Sequence, residues 1–265
     1  MIASLVLSFT SYRLAGTPQF IGLDNYVRMF NDPRLAQSLR VTFTFVLVGV
    51  PLALTFALCV ATQLNKGIRG LALYRSVFYL PSLFAGSVAV GVLWRHIFGA
   101  NGLVNTVLGW VGLEARSWVG DPSTALATII LLHVWTFGSS MIIFLAGMRQ
   151  IPEELYEAAA LDGASKWKQF LHVTIPMLTP IIFFNLVMGF INAFQNFTPA
   201  FVVSGGTGGP LDSTLVFALY LFQQAFGIAG NMGYASALAW LLVAIIGTMT
   251  AVNFLTSKKW VHYAD

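Results

Sequence analysis

Residues 150–180 read Q-I-P-E-E-L-Y-E-A-A-A-L-D-G-A-S-K-W-K-Q-F-L-H-V-T-I-P-M-L-T-P, a polar interval between two long apolar runs. Pro152 fits the first turn of a helix, where its missing N–H costs nothing. Glu153, Glu154 and Glu157 suit the positive end of the same helix. Ala158, Ala159 and Ala160 continue it as strong helix formers with little side-chain bulk. Gly163 suits the position just past a helix end, so this first piece is about three turns long. A second piece starts after Asp162 or Ser165; Trp167, Phe170, Leu171 and Thr174 follow one helical face, and Pro176 and Pro180 close it. From the residues alone, the stretch is either an ordinary loop with amphipathic decoration or a compact ledge beside a membrane.

The flanks decide that a membrane is present. The chain has 265 residues, 57% hydrophobic and 9% charged, with a mean hydropathy of +0.76. A soluble domain carries roughly 25% charged residues, so this is an integral membrane protein. Its net charge of +4 comes from Lys and Arg scattered among loops, which membrane topology explains better than nucleic-acid binding. The single cysteine, Cys59, lies in an apolar run, so neither a disulfide framework nor a cysteine metal site is available. No signal-peptide pattern precedes the apolar segments, which are therefore expected to stay in the mature protein.

Working outward, Leu39–Thr62, Val77–Phe98, Thr124–Met148, Met177–Val203 and Tyr234–Leu255 are each long and apolar enough to span. Residues 1–9 are apolar but too few to cross. They are either the outer end of a first helix that begins upstream or a short segment resting on its neighbours. Residues 10–38 are rich in turn and cap residues. The S-G-G-T-G-G-P of 204–210 cannot continue a helix, and Thr214–Phe226 reads as a short re-entrant or interfacial helix. The expected architecture is an all-α polytopic bundle of about six transmembrane helices, the first truncated. It forms a single domain over 1–265 with its core at 39–256.

Loop charges orient it. The loops 63–75, 149–176 and 257–265 carry eight Lys and Arg in 50 residues, including all five lysines; 10–40, 95–122 and 204–232 carry six in 88. The positive-inside rule therefore places 150–176 and the C-terminus in the cytoplasm.

Within that interval, Glu157-Ala158-Ala159, then Gly163 after three residues, then Val173-x-Ile175-Pro176 after nine more, resembles the E-A-A-x-x-x-G-x9-I-x-L-P loop of ABC importer permeases. Val173 and Ile175 are conservative departures. The longer string E-A-A-A-L-D-G-A-S, W-K-Q-F and the Pro176/Pro180 pair are similar to the carbohydrate-uptake branch, type I importers related to maltose and glycerol-phosphate permeases. I-G-L-D-N-Y at 21–26, the glycine loop at 204–210 and G-Y-A-S-A at 233–237 extend the likeness over nearly the whole chain. A full first helix, usual in the family, is not seen.

The resemblance implies an ABC type-1 permease fold in a bacterial or archaeal cytoplasmic membrane, with 150–176 as a coupling helix docked on a cytoplasmic ATPase. Glu157, Ala158, Ala159, Asp162 and Gly163 would form that joint. Three alanines let a partner backbone approach, Glu157 offers a carboxylate to a partner Arg, and Gly163 permits the bend. The implied partners are a second homologous permease, an ATPase dimer that holds ATP and Mg, an extracytoplasmic sugar-binding protein, and membrane lipid. No cofactor belongs to this chain.

A sugar pathway needs polar groups at membrane depth, where they are costly and face an interior. Asn185, Asn192 and Asn196 are spaced to share one helical face, with Gln195 and the rings of Phe190, Phe194 and Phe197 nearby. Two readings stand for Asn192 and Asn196, sugar contact or interhelical hydrogen bonding; Asn185 reads as the latter. The candidate substrate residues are Asn192, Phe194, Gln195 and Asn196. His133 has no intramembrane carboxylate for a proton relay and is left out.

The chain has no G-x-x-x-x-G-K-S/T loop, no H-E-x-x-H and no paired cysteines, so no catalytic or metal residues are expected and energy must come from another polypeptide. The function expected is that of a permease subunit forming half of an importer pathway for a sugar or sugar derivative. The alternatives are an ion- or proton-coupled secondary transporter, which would want intramembrane carboxylates while all ten acids lie in loops or the tail, and a membrane enzyme.

Overall fold

The computed structural model describes residues 1–13, 16–67, 69–227 and 230–262. Parts of the loops 10–38 and 63–75, two residues after Phe226 and the last three of the tail lie outside the described residues. Among the described residues the regular secondary structure is all helical, apart from one isolated bridge between Thr10 and Phe20.

The helices are α1 Ile2–Ser8, α2 Asp24–Phe30, α3 Pro33–Leu64, α4 Leu71–Leu83, α5 Val88–Ile97, α6 Leu103–Trp110, α7 Ala125–Trp135 and α8 Gly138–Met148. They continue with α9 Glu153–Leu161, α10 Lys166–Gln169, α11 Ile175–Phe194, α12 Thr198–Ser204, α13 Phe217–Phe226 and α14 Met232–Ser257. Three stretches, Pro33–Leu64, Lys166–Phe194 and Met232–Ser257, are each long and apolar enough to cross a membrane. The pairs α4 with α5 and α7 with α8 pass the same test when each is taken together.

Three spans read as continuous from sequence are interrupted. Between α4 and α5 the break ends at Ser87, whose Oγ accepts from Ala89 N at 3.1 Å and starts the new helix. Between α7 and α8, Thr136 Oγ1 donates to His133 O at 2.8 Å, a local bond of the kind that bends helices. Between α11 and α12, Pro199 removes the N–H that would bond back to Gln195, and Phe197 leaves helical geometry at φ −123°, ψ −62°. Asn196 falls in this last break, so the helical face expected to join Asn185, Asn192 and Asn196 ends before its third member.

Two boundaries move the other way. Helix α3 begins at Pro33, inside the region read as an outer loop, because proline suits a first helical position and Asp32 caps it. Pro176 does not close the ledge's second helix. Phe170–Thr174 widens into a π turn immediately before it and carries the helix through to Phe194. A wider turn relieves the clash between a proline ring and the carbonyl four residues back.

The contacts gather into two compact units. Unit 1 comprises Met1–Leu47, Gly86–Leu132 and Ile191–Met249; unit 2 comprises Val48–Ala85, His133–Phe190 and Thr250–Asp265.

Unit 1 is tied by polar groups at its loops. Asp32 Oδ1 accepts from the backbone N–H groups of Arg34 and Leu35, each at 3.1 Å. Its Oδ2 accepts from the Tyr220 hydroxyl and, at 2.7 Å, from the Tyr234 hydroxyl. The Arg28 guanidinium lies 4.0 Å from the Tyr234 ring centroid. Arg34 grips Asp212 with two bonds, Nε at 2.9 Å and Nη2 at 2.7 Å. That clamp holds Leu211 and Asp212 at φ +53° and +55°, a region non-glycine residues seldom adopt. Gly91 lets α5 approach α12: a Cβ there would lie 2.8 Å from Val202.

Unit 2 is organised by apolar packing. Ala57, Ala61 and Leu64 of α3 meet Phe137, Met141, Phe144, Leu145 and Met148 around α8, with Leu178 of α11 and Ile151 completing the cluster. Helices α4 and α8 cross where Gly138 has no side chain; a Cβ would sit 2.3 Å from Phe78 O. Close approach over small residues is the usual means of packing helices in lipid, where association has no hydrophobic drive.

Burial raises the pKa of the Asp32 carboxyl, but the bonds from Tyr220, Tyr234 and the Leu35 and Arg34 amides outweigh it and hold the group below its ordinary 3.8. A carboxyl depressed on folding contributes stability that is complete above the unfolded value and lost as pH falls through the folded one. Thermal unfolding followed from about pH 6 to about pH 2.5 should therefore show a loss below about pH 4 in the wild type that is shallower in Asp32→Asn. Parallel acid limbs would contradict this account.

Candidate functional site

The ledge lies wholly in unit 2. Pro152 stands just ahead of α9 with extended backbone, and Glu153 and Glu154 occupy the first turn, where carboxylates face the positive end of the helix. The far end closes with two reverse bonds, Gly163 N to Ala160 O at 3.0 Å and Ala164 N to Ala159 O at 2.9 Å. This is the Schellman pattern, and it needs a left-handed residue, here Gly163 at φ +76°. A Cβ on Gly163 would meet nothing within 4 Å, so conformation alone selects glycine. Ser165 then opens the next helix, its Oγ accepting from Lys168 N at 3.4 Å.

Two polar contacts brace this bend against the long helix. The Tyr156 and Thr174 hydroxyls bond at 2.9 Å, joining α9 to the π turn. Gln169, 4% exposed, donates from Nε2 to Ala164 O at 3.2 Å and accepts from Lys166 Nζ at 3.2 Å. Below them Ile151 enters the apolar cluster, with Tyr156, Val173 and Met177 packed on it. The ledge is therefore held from inside while its outer face stays open.

That open face carries the residues singled out from sequence. Glu157, Ala158, Asp162 and Gly163 are exposed and Ala159 is half-buried. Glu157 has no ion pair or side-chain hydrogen bond among the described residues. Two large apolar side chains join them, Leu161 at 90% exposure and Trp167 at 66%. Of Trp167, Phe170, Leu171 and Thr174, which the spacing groups on one helical face, only Thr174 is buried; Trp167 stacks on Phe170 and stays exposed with Leu171. Leu161 was missed, since a lone leucine before Asp-Gly gives no periodic signal.

The candidate substrate residues lie in unit 1. Asn192 and Gln195 are exposed, near the end of α11. Phe194 is 2% exposed, its ring edge-on to Phe43 at 5.5 Å. Asn196 sits in the break after α11, and its Oδ1 is buried with no hydrogen-bond partner among the described residues. In unit 2, Asn185 is buried and donates to Ile181 O at 2.9 Å, within its own helix. The described residues contain no cluster of metal-ligating side chains.

Residues 26–258 match the family described as binding-protein-dependent transport system inner membrane component. The chain is 56% identical over 265 residues to the probable ABC transporter permease protein YesP of Bacillus subtilis (strain 168), covering 99% of this chain and 85% of that one. It is 34% identical over 263 residues to the lactose transport system permease protein LacF of Rhizobium radiobacter, covering 98% and 88%. Among solved structures, a bacterial alginate ABC transporter, crystallised with an alginate pentasaccharide-bound periplasmic protein, superposes with a TM-score of 0.77 at 20% identity, over 90% of this chain and 83% of that one. At that identity the likeness shows the fold, that of an ABC importer permease.

The chain belongs to the family of inner membrane components of binding-protein-dependent transport systems. It is a multi-pass permease subunit, and the family is one of transporters rather than catalytic enzymes.

Gly163 offers a direct check of the ledge geometry. Gly163→Ala forces an L side chain into the left-handed region and should cost about 1–2 kcal/mol locally, whereas Gly163→Asn should cost less. Amide exchange should accelerate at positions 163 and 164 more in the alanine variant than in the asparagine variant. Unchanged exchange in both would mean the reverse-bonded turn does not stabilise this end of α9.

Proposed function

We propose that this chain imports a sugar or sugar derivative as the permease half of an ATP-driven transporter, moved by an ATPase docked on the ledge. The observation that carries this reading is the ledge itself: a short helix with exposed Glu157, Ala158, Asp162 and Gly163, locked internally by the Schellman turn and the Tyr156–Thr174 bond. A surface braced on one side and open on the other transmits a push, where a mobile loop would absorb it. Likeness to LacF supports a saccharide cargo.

The chain has no nucleotide-binding loop of its own, so ATP and Mg belong to a separate ATPase dimer. A second homologous permease completes the pathway, and an extracytoplasmic binding protein delivers the sugar. Placement of all five lysines on the ledge-side loops supports a cytoplasmic ledge and C-terminus in a bacterial or archaeal membrane. ATP and the loaded binding protein drive the cycle through their different affinities for inward-open and outward-open states; a ligand with equal affinity for both would move nothing. The exposed Asn192 and Gln195, with the unpartnered Asn196 Oδ1, are the groups assigned to the sugar hydroxyls, and Phe194 supports them by packing on Phe43.

The double variant Glu157→Ala, Gly163→Pro should lose ATPase association while still inserting in the membrane, as read by co-purification of the ATPase with the tagged permease. Wild-type recovery of the ATPase would remove the docking role.

A further inference from the structure

Within unit 1 a cleft of about 540 Å3 opens between the segment 95–120 and the glycine loop, lined by Arg95, Gly99, Ser117, Val119, Gly120, Val203, Ser204, Thr207, Gly209 and Pro210. Its polar side chains are one guanidinium and three hydroxyls. Arg95 ends α5 and has no carboxylate or hydrogen-bond partner among the described residues. Ser117 Oγ accepts from Gly120 N at 3.1 Å, and Ser204 Oγ accepts from Gly208 N at 3.3 Å, so each keeps its O–H to donate. Thr207 is used up, donating to Ser204 O and accepting from Gly209 N. Beneath the same wall, the buried Ser213 Oγ and Thr214 Oγ1 lack partners among the described residues; they lie 3.6 and 2.4 Å from where a Cβ on Gly209 would sit.

No acidic side chain lines the cleft. Of the carboxylates nearest in sequence, Asp121 is engaged with Ser123 and Asp212 with Arg34, while Glu114 is exposed and does not line the cleft. The remaining lining is glycine backbone with the apolar patch of Val119, Val203 and Pro210. A guanidinium and two spare hydroxyl donors beside such a patch, with no competing acid, suit an anionic saccharide better than a neutral one. The volume lies within the roughly 300–1,000 Å3 of small-molecule sites.

We infer that this cleft is a subsite for a negatively charged group on the transported saccharide, with Arg95 holding the charge and Ser117 and Ser204 donating to it. The assignment rests on the importer reading above and adds the charge of the cargo to it. A carboxylate and a phosphate share the chemistry, so the probes must separate them.

The test measures binding calorimetrically on the assembled permease–ATPase complex in nanodiscs, using digalacturonate, its dimethyl ester, glucose 1-phosphate and glucose. Digalacturonate should bind at least about tenfold tighter than the ester, or glucose 1-phosphate than glucose, and whichever pair shows the preference identifies the anion. Arg95→Gln should abolish the preference and Arg95→Lys retain part of it. Ser117→Ala with Ser204→Ala, a milder change, should weaken it severalfold while glucose binding stays as in the wild type. Equal binding within both pairs, no binding of either anion, or a preference that survives Arg95→Gln overturns the inference. So does a result in which Arg95→Gln weakens only association of the binding protein, which would assign the cleft to a protein carboxylate. ATP-dependent uptake separates the two readings: import of neutral sugars alone, indifferent to Arg95, removes the subsite and leaves the importer. Absence of any ATP-dependent saccharide uptake removes the importer.

Discussion

Hydrocarbon offers a peptide group no hydrogen-bond partner, so every turn of chain at membrane depth has to satisfy its own N–H and C=O groups. That constraint explains why the helix from Lys166 to Phe194 runs unbroken past two prolines. Pro176 removes a donor and brings a ring against the preceding turn; the π turn at Phe170–Thr174 absorbs the misfit without ending the helix. The consequence reaches the ledge. Thr174, on the widened turn, bonds Tyr156, so the distortion that admits the proline also presents the hydroxyl that braces α9. That bond ties α9 to the start of a long apolar helix.

The same constraint governs where helices may stop. The interruptions after α4, α7 and α11 each carry their own local bonds or a proline that excuses a missing one. At the third, Asn196 keeps a buried oxygen without a partner among the described residues, and two exposed amides precede it. An unsatisfied acceptor beside a broken helix is costly unless something polar reaches it. This gives the end of α11 a chemical reason to meet a hydroxylated cargo.

Much of this was legible in the sequence. The apolar runs announced the spans because length and composition suffice for that, and Gly163 announced the end of α9 because the left-handed position selects its residue type. The helix breaks were not legible: within Thr124–Met148 the apolar residues fall all round the helix, and scattered polar residues such as Thr128, Thr136 and Ser139 do not mark which one carries the kink. Pro176 reads as a stop because a π turn leaves no sequence mark. The spacing places Trp167 on one helical face with Phe170, Leu171 and Thr174, and apolar spacing does not distinguish a core from an exposed face. The Arg34–Asp212 clamp and the Asp32–Tyr220–Tyr234 cluster join residues 178 to 202 positions apart, beyond the reach of local pattern.

The central claim is that the exposed face of α9 meets the motor. A photo-crosslinking amino acid at Leu161, 90% exposed and free of internal packing duties, tests it most directly in the assembled transporter. The account predicts a crosslink to the ATPase subunit that strengthens or weakens with nucleotide. A crosslink only to lipid or to the extracytoplasmic binding protein, in a complex that retains its ATPase, would contradict it.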